Sequence, residues 1–310
     1  MPWWPWLAGL ALLAIVAVLL VWLLKVTEGA YLGPGVVTAL YDRFADQYDR
    51  IKQFDDADEA YFLGEPVARY LAQLEPAASL PWLLDVATGT GRFSLAVMRA
   101  TQGHCQAVAL DRSLGMLRQA QAKLDQAGWA GVIWLQHDAA PLPFGEGTFD
   151  VVACLEALEF MPDPRAAIAE LLRVARPGAL VAVTNRIGRD ARLMPGKVFS
   201  RLELSDLLRS AGAGAVDIRP WQVDYDLALA LKAGPSGELP EGTVWPGLLS
   251  CPICRADQPV AARDDQAMLT CSRCGWRLKI DDGVWRSAPS SDLRGCGKPR
   301  RSRSSSSLTE

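Results

Sequence analysis

Trp82-Leu83-Leu84-Asp85-Val86-Ala87-Thr88-Gly89-Thr90-Gly91 opens as a short apolar run and closes as a glycine loop. The run suits a buried strand, and the glycines let the backbone turn tightly and approach a ligand closely. Outward from this stretch, apolar runs alternate with helical periodicities. Strands are expected at 82–86, 107–110, 132–135, 149–154 and 180–183, with helices at 93–98, 114–127 and 165–175 between them. A helix at 203–211 and strands at 215–218 and 225–231 complete the set, and two helices, 38–53 and 58–74, precede it. Such alternation predicts an α/β fold whose parallel sheet is covered on both faces.

The glycine loop implies a nucleotide-type ligand. A dinucleotide site prefers G-x-G-x-x-G, where pyrophosphate meets the helix N-terminus. Here Ser94 holds the third position, which weighs against NAD. Asp111 stands at the end of the second strand, where a carboxylate can accept hydrogen bonds from both ribose hydroxyls. Asp138 ends the third strand, placed to meet an adenine amino group. Each alone could be a solvated loop carboxylate. At the ends of consecutive strands, Asp85, Asp111 and Asp138 outline one nucleoside site.

Four segments carry a family resemblance. Leu84 to Gly91 resembles motif I of the class I S-adenosylmethionine-dependent methyltransferases. Asp111-Arg112-Ser113-Leu114-Gly115-Met116-Leu117 is similar to their D-x-S-x-x-M-L segment. Asp138-Ala139-Ala140-Pro141-Leu142-Pro143-Phe144 with Phe149-Asp150, and Leu172-Arg173-Val174-Ala175-Arg176-Pro177-Gly178, match two further segments in order and spacing. The resemblance implies a Rossmann-like seven-stranded methyltransferase sheet over residues 36–233. It also implies S-adenosylmethionine held by Asp85, Ala87, Gly89, Gly91, Asp111, Arg112 and Asp138. Ala87 departs from the family, where glycine is frequent. Tyr41-Asp42-Arg43-Phe44-Ala45-Asp46-Gln47-Tyr48-Asp49 resembles the lid of the quinone C-methyltransferases and would bring Tyr41 and Tyr48 to the cofactor; a plain amphipathic helix is the other reading. The Asn-Asp-x-Met-Ser segment of the quinone enzymes is absent.

Methyl transfer is an in-line displacement on a sulfonium, so alignment supplies much of the acceleration. A base is needed only if the acceptor loses a proton. Glu156 and Glu159, after the fourth strand, are the acids available, and as solvated loop charges they need no role.

Both ends of the chain add something. From Trp6 to Leu24 there is no charge, and tryptophans flank the run. Residues 3–25 therefore predict a single uncleaved transmembrane helix, with a buried core helix as the alternative. Lys25, Arg43, Arg50 and Lys52 favour a cytoplasmic catalytic domain. At the other end, Cys251-Pro252-Ile253-Cys254 and Cys271-Ser272-Arg273-Cys274 have the spacing of a closed four-thiolate structural zinc site. Cys274-Gly275-Trp276 through Gly283-Val284 resembles the small zinc-binding activators of tRNA, rRNA and release-factor methyltransferases. That likeness implies a ribbon over 248–286, docked as a platform. Residues 287–310, basic then serine-rich, predict a disordered tail. The net charge of −3 among 310 residues gives no global nucleic-acid signature, and two histidines exclude a His-rich metal centre.

The expected activity is methyl transfer to a membrane-resident lipid, quinone or pigment. The rivals are a non-catalytic subunit of a membrane protein complex and an RNA or protein methyltransferase whose ribbon and tail bind the macromolecule.

Overall fold

The computed structural model describes residues 3–74, 79–235, 243–256, 260–262 and 268–287; the expected tail beyond 287 lies outside them. Helix α1 (Trp4–Val21) continues through a π-helical turn, Trp22–Val26. These 23 residues are long and apolar enough to cross a membrane, and their apolar window buries nothing in the protein. Thr27 and Ala30 then enter the interior.

The two helices expected at 38–53 and 58–74 are each interrupted. The first is α2 (Pro34–Phe44), a 3₁₀ turn and α3 (Tyr48–Lys52). The second is α4 (Asp56–Glu59), a π turn at Ala60–Gly64 and α5 (Glu65–Leu71). Gly64 explains part of this: a Cβ there would lie 2.7 Å from the Ala96 carbonyl oxygen, so the turn sits directly on the backbone of α6 (Arg92–Ala100). The Asp55 side chain caps α4 by accepting from Ala57 and Asp58 N–H.

The strands are β1 (Trp82–Val86), β2 (Gln106–Asp111), β3 (Val132–Gln136), β4 (Phe149–Cys154), β5 (Ala175–Arg186), β6 (Ala213–Gln222) and β7 (Tyr225–Lys232). Helices α7 (Leu114–Gln126), α8 (Pro164–Val174), α9 (Gly188–Ala191) and α10 (Arg201–Ser210) connect them. Strand β5 starts at residue 175, where the sequence pattern continued the helix. β1 to β5 pair in parallel, β7 lies antiparallel to β5, and β6 antiparallel to β7. The Ser113 and Asp163 side chains cap α7 and α8, and Ser200 with Glu203 forms a capping box on α10.

Seven strands were expected in the methyltransferase sheet, and among the described residues the sheet has eleven. The C-terminal strands β8 (Val260–Ala262), β9 (Met268–Cys271), β10 (Arg277–Asp281) and β11 (Val284–Ser287) extend the same sheet, in the order β6-β7-β5-β4-β1-β2-β3-β11-β10-β9-β8. Val284, Trp285 and Arg286 pair in parallel with Trp134, Leu135 and Gln136. The cysteine segment thus joins by a backbone ladder as well as by side-chain docking. It also shares a core: Leu249, Cys251, Cys271, Trp276 and Leu278 belong to the apolar cluster that holds Val86, Leu110, Leu135 and Phe144. So short a segment cannot bury a core of its own and completes one on the larger sheet.

Candidate active site

The carboxyl ends of β1, β2 and β3 open on one cavity of about 840 Å³, within the range of small-molecule sites. Asp85 is buried at the end of β1, where it accepts from Thr88 Oγ1 at 2.6 Å and Ser94 Oγ at 2.7 Å. Burial pushes its carboxyl up, against the pull of those hydrogen bonds. Ala87 stands in the left-handed region at φ +56°, an arrangement stable only when the surroundings impose it. Gly89 follows at φ +55°, with open space where a Cβ would stand. The Asp111 carboxylate receives Gly89 N–H at 2.9 Å and Ser113 N–H at 2.8 Å, joining the glycine loop to the end of β2. Burial raises the Asp111 carboxyl to about 6.

The other expected residues divide. Arg112 and Asp138 line the cavity and pair with each other at 3.1 Å, both well exposed. Tyr41 and Tyr48 line it as well, with ring centroids 5.9 Å apart. Gly91 stands outside the wall: at φ +77° it ends the loop, and a Cβ there would meet Ala120 and Leu124 of α7 at 3.0 Å. Its place is the helix–helix contact beneath the loop. Glu159 also lies outside the wall, buried and bonded by the Tyr225 hydroxyl at 2.6 Å.

Glu156 lines the cavity but is held between two cations, Lys52 at 2.9 Å and Arg92 at 2.8 Å. Burial alone would raise its carboxyl; Arg92 and Lys52 outweigh that and hold it below the ordinary range. Arg92 is the hub here. Its guanidinium also pairs with Glu59 at 3.0 Å and stacks on the rings of Phe54 and Trp221. The lid segment is tied down elsewhere too. Asp42 accepts from Gly115 N–H and Ser113 Oγ, and Asp49 from Thr90 Oγ1, with Lys123 paired to Asp49.

Several lining residues escaped the sequence reading: Pro34, Val37, Phe54, Arg92, His137 and Arg255. Arg92 directly follows the glycine loop, which was a usable signal. His137 directly precedes Asp138, a second such signal; Pro34, Val37, Phe54 and Arg255 are brought in by tertiary contacts.

Comparison with known proteins fits this geometry. The family described as a methyltransferase domain matches residues 84–183. A demethylmenaquinone methyltransferase of Thermobifida fusca is 32% identical over 192 residues, 61% of this chain and 71% of the relative. The chain belongs to the S-adenosylmethionine-dependent methyltransferases. A second demethylmenaquinone methyltransferase, from Lactiplantibacillus plantarum, is 33% identical over 144 residues, 46% of this chain and 59% of the relative's own length. Among solved structures, a SAM dependent methyltransferase from Aquifex aeolicus aligns with a TM-score of 0.45 and 21% identity, covering 58% of this chain and all of that one.

In this methyltransferase the cysteine segment contributes to the cavity wall. Arg255 follows Cys254 and reaches Glu170 of α8 at 3.0 Å. Burial opposes the ionisation of Glu170, but Arg173, the Leu142 N–H and Arg255 together hold it at about 2. The Trp276 ring stands edge-on to His137, centroids 6.2 Å apart. The four sulfurs of Cys251, Cys254, Cys271 and Cys274 all lie within 4.8 Å of one another. Cys251 and Cys274 are 3.4 Å apart, Cys254 and Cys271 3.7 Å. Tetrahedral zinc at ~2.3 Å from each sulfur needs sulfurs about 3.8 Å apart, so the cluster fits that ion.

Proposed function

We propose that this chain transfers the methyl group of S-adenosylmethionine to an aromatic, quinone-type acceptor that resides in the membrane. The observation that carries the reading is the two-ended cavity. One end is polar, with the Gly89 backbone, Asp111, His137 and Asp138. The other is an apolar and aromatic wall of Val37, Tyr41, Tyr48, Phe54, Phe160 and Met161. Pro34 and Val37 of that wall begin the helix that follows the apolar N-terminal segment. The relatives named demethylmenaquinone methyltransferases support the acceptor class.

Asp111 would hold the ribose hydroxyls, Asp138 or its neighbours the adenine, and Asp85 with Ala87 and Gly89 the methionine end. The chemistry that S-adenosylmethionine supplies when bound is an electrophilic methyl on a sulfonium. Tyr48, Phe54 and Phe160 give a planar acceptor flat surfaces to stack on, and the lid excludes water. Neither glutamate suits a general base: Glu156 is held ionised by two cations and Glu159 faces away. Glu156 instead positions Arg92 and Lys52, and so the lid. An electron-rich ring carbon attacks without prior loss of a proton: the C–S bond of the sulfonium would break as the new C–C bond forms, and the ring proton would leave afterwards to water, so neither glutamate is required.

Residues 4–26 would span the bilayer, with the methyltransferase domain on the cytoplasmic side, where the cofactor is made and thiols stay reduced. The four cysteines would hold one structural zinc. The deciding experiment incubates purified full-length protein with labelled S-adenosylmethionine and demethylmenaquinol in detergent, alongside mass spectrometry of lipids and quinones from a deletion strain. A methylated ring product, and its unmethylated precursor in the strain, are expected. Cofactor binding with no methylated lipid in either arm would move the chain to the non-catalytic subunit reading.

A further inference from the structure

Segment 188–197, between β5 and α10, is not used by the cofactor end of the cavity; it buries Ala191 and Met194 and turns its other side chains outward. It nevertheless touches two parts of the molecule that matter. On one side it meets the end of the apolar helix: Trp22 Nε1 donates to the Leu193 carbonyl at 3.1 Å and the Tyr31 hydroxyl to the Pro195 carbonyl at 2.7 Å. The Trp22 and Tyr31 rings stack at 5.2 Å, forming an aromatic step where the helix leaves its apolar stretch. On the other side Lys197 Nζ donates to the Met161 carbonyl at 2.5 Å, and Met161 and Pro162 form the rim of the cavity.

The outer surface of this segment is unlike an ordinary solvated loop. Leu193 is 49% exposed, and near it Leu32 and Val36 are 43% and 38% exposed. Arg189 and Arg192 are exposed, and neither makes an ion pair among the described residues. Lys25 belongs to the same end of the helix. The acids nearby are Asp190 and Asp224, both exposed, and Asp163 beside Lys197, while Glu28 is paired with Arg186; against them stand Lys25, Arg189, Arg192 and Lys197, so cations outnumber the remaining acids by one. Indoles and tyrosines settle at the membrane–water interface, which fixes the level of Trp22. A hydrogen bond from Trp22 fixes the Leu193 backbone at that same level. Apolar side chains among unpaired cations, held at headgroup depth, suit an anionic lipid surface.

We infer that residues 188–197 are a second contact of this chain with the membrane, made to anionic phospholipid headgroups, which holds the Met161–Pro162 rim of the cavity against the bilayer. This rests on the reading of Trp4–Val26 as a membrane span. It adds a defined orientation: the helix alone tethers, whereas helix and loop together present one face. The acceptor would then enter at the Met161–Pro162 rim without crossing water.

The test uses the full-length chain with Cys296→Ser, an environment-sensitive fluorophore attached at Leu193→Cys, and vesicles of phosphatidylcholine alone or with phosphatidylglycerol. A second sample carries the fluorophore at Leu13→Cys. Expected is a lipid-like signal at 13 in both vesicles, and at 193 a blue shift with emission at least about twofold brighter on the anionic vesicles. R189E/R192E, its melting temperature unchanged, should return position 193 to a water-like signal. A water-like signal at 193 with 13 in lipid overturns the inference and leaves the span intact. An equal blue shift at 193 on both vesicles overturns the anionic assignment. A water-like signal at 13 overturns the span itself.

Discussion

Asp111 shows how one side chain can serve fold and ligand with opposite demands. It accepts two backbone N–H groups, and burial raises it to about 6. In the absence of cofactor, a raised carboxyl contributes stability that is fully present below the ordinary carboxylate range and is lost as pH rises through about 6. Glu59, raised by burial to about 7, acts in the same direction. Cofactor binding runs the other way, because only the ionised carboxylate can accept from both ribose hydroxyls. S-adenosylmethionine affinity should therefore fall as pH drops through about 6, and titration calorimetry across pH 5 to 8 reads it. Asp111→Ala should cost at least tenfold in affinity, since two charge-assisted bonds of about 1.5–3 kcal/mol each are at stake. An affinity in the variant equal to that of the wild type would remove Asp111 from the site. Gly91 is a contrasting case. Its φ of +77° and the 3.0 Å approach of Ala120 and Leu124 leave no room for a methyl. Gly91→Ala should lower stability by about 1–3 kcal/mol through strain and overpacking, measured by denaturant unfolding, with cofactor affinity lost only as far as the loop shifts. The glycine pattern was legible in sequence, but which glycine faces the cavity was not.

At the level of elements, the cysteine ribbon and the lid were both visible as motifs, and both turned out to be joined to the site differently from their reading. Two C-x-x-C pairs announced a metal cluster. Nothing in a run such as Gly283-Val284-Trp285-Arg286 announces that it will pair in parallel with Trp134-Leu135-Gln136. Any exposed parallel edge of the right register would accept it. Because the ribbon lies on β3 and lends Arg255 to the cavity wall, loss of metal should reach the cofactor site. Structural zinc supplies on the order of 10 kcal/mol to a small domain. Cys271→Ser is expected to unfold β9 to β11 and to weaken cofactor binding, while β4 to β7 keep their protection in hydrogen exchange. Metal analysis that finds no zinc in folded protein would count against the four-thiolate site. The lid, read as one helix over 38–53, is two helices with a 3₁₀ turn between them. That break sets Asp42 on Gly115 and Asp49 on Thr90, two anchor points that a straight helix would have to reconcile with a single axis.

For the whole molecule, on the proposed reading of residues 4–26 as a membrane span, the arrangement of the N-terminal helix and the cavity makes tethering a matter of chemistry as well as location. A membrane-resident acceptor meets a tethered enzyme at raised effective concentration, whereas a soluble one gains little. Removing residues 1–21, which leaves the buried Thr27 and Ala30 and the Glu28 contacts in place, should leave cofactor affinity within about twofold, abolish turnover on acceptor in vesicles, and allow recovery with acceptor dispersed in detergent. Undiminished methylation of the cellular target by the truncated chain would rule out the lipid-phase acceptor.

What the sequence determined by itself is local and periodic. The order of strands and helices from 82 to 232, the cavity at the ends of β1 to β3, the apolar helix and the cysteine cluster all follow from patterns a few residues long. These are strand alternation, a glycine loop, an uninterrupted apolar run and thiol spacing. Only the tertiary structure decided the pairings between distant segments. It placed Arg92 between Glu59, Glu156 and two aromatic rings, turned Glu159 toward Tyr225, moved Gly91 behind the cavity wall, and carried the sheet on from β3 into the ribbon. The reason is physical. A side chain's partner across the fold depends on the geometry of every element between them, and a strand's edge carries the same N–H and C=O groups whatever its sequence.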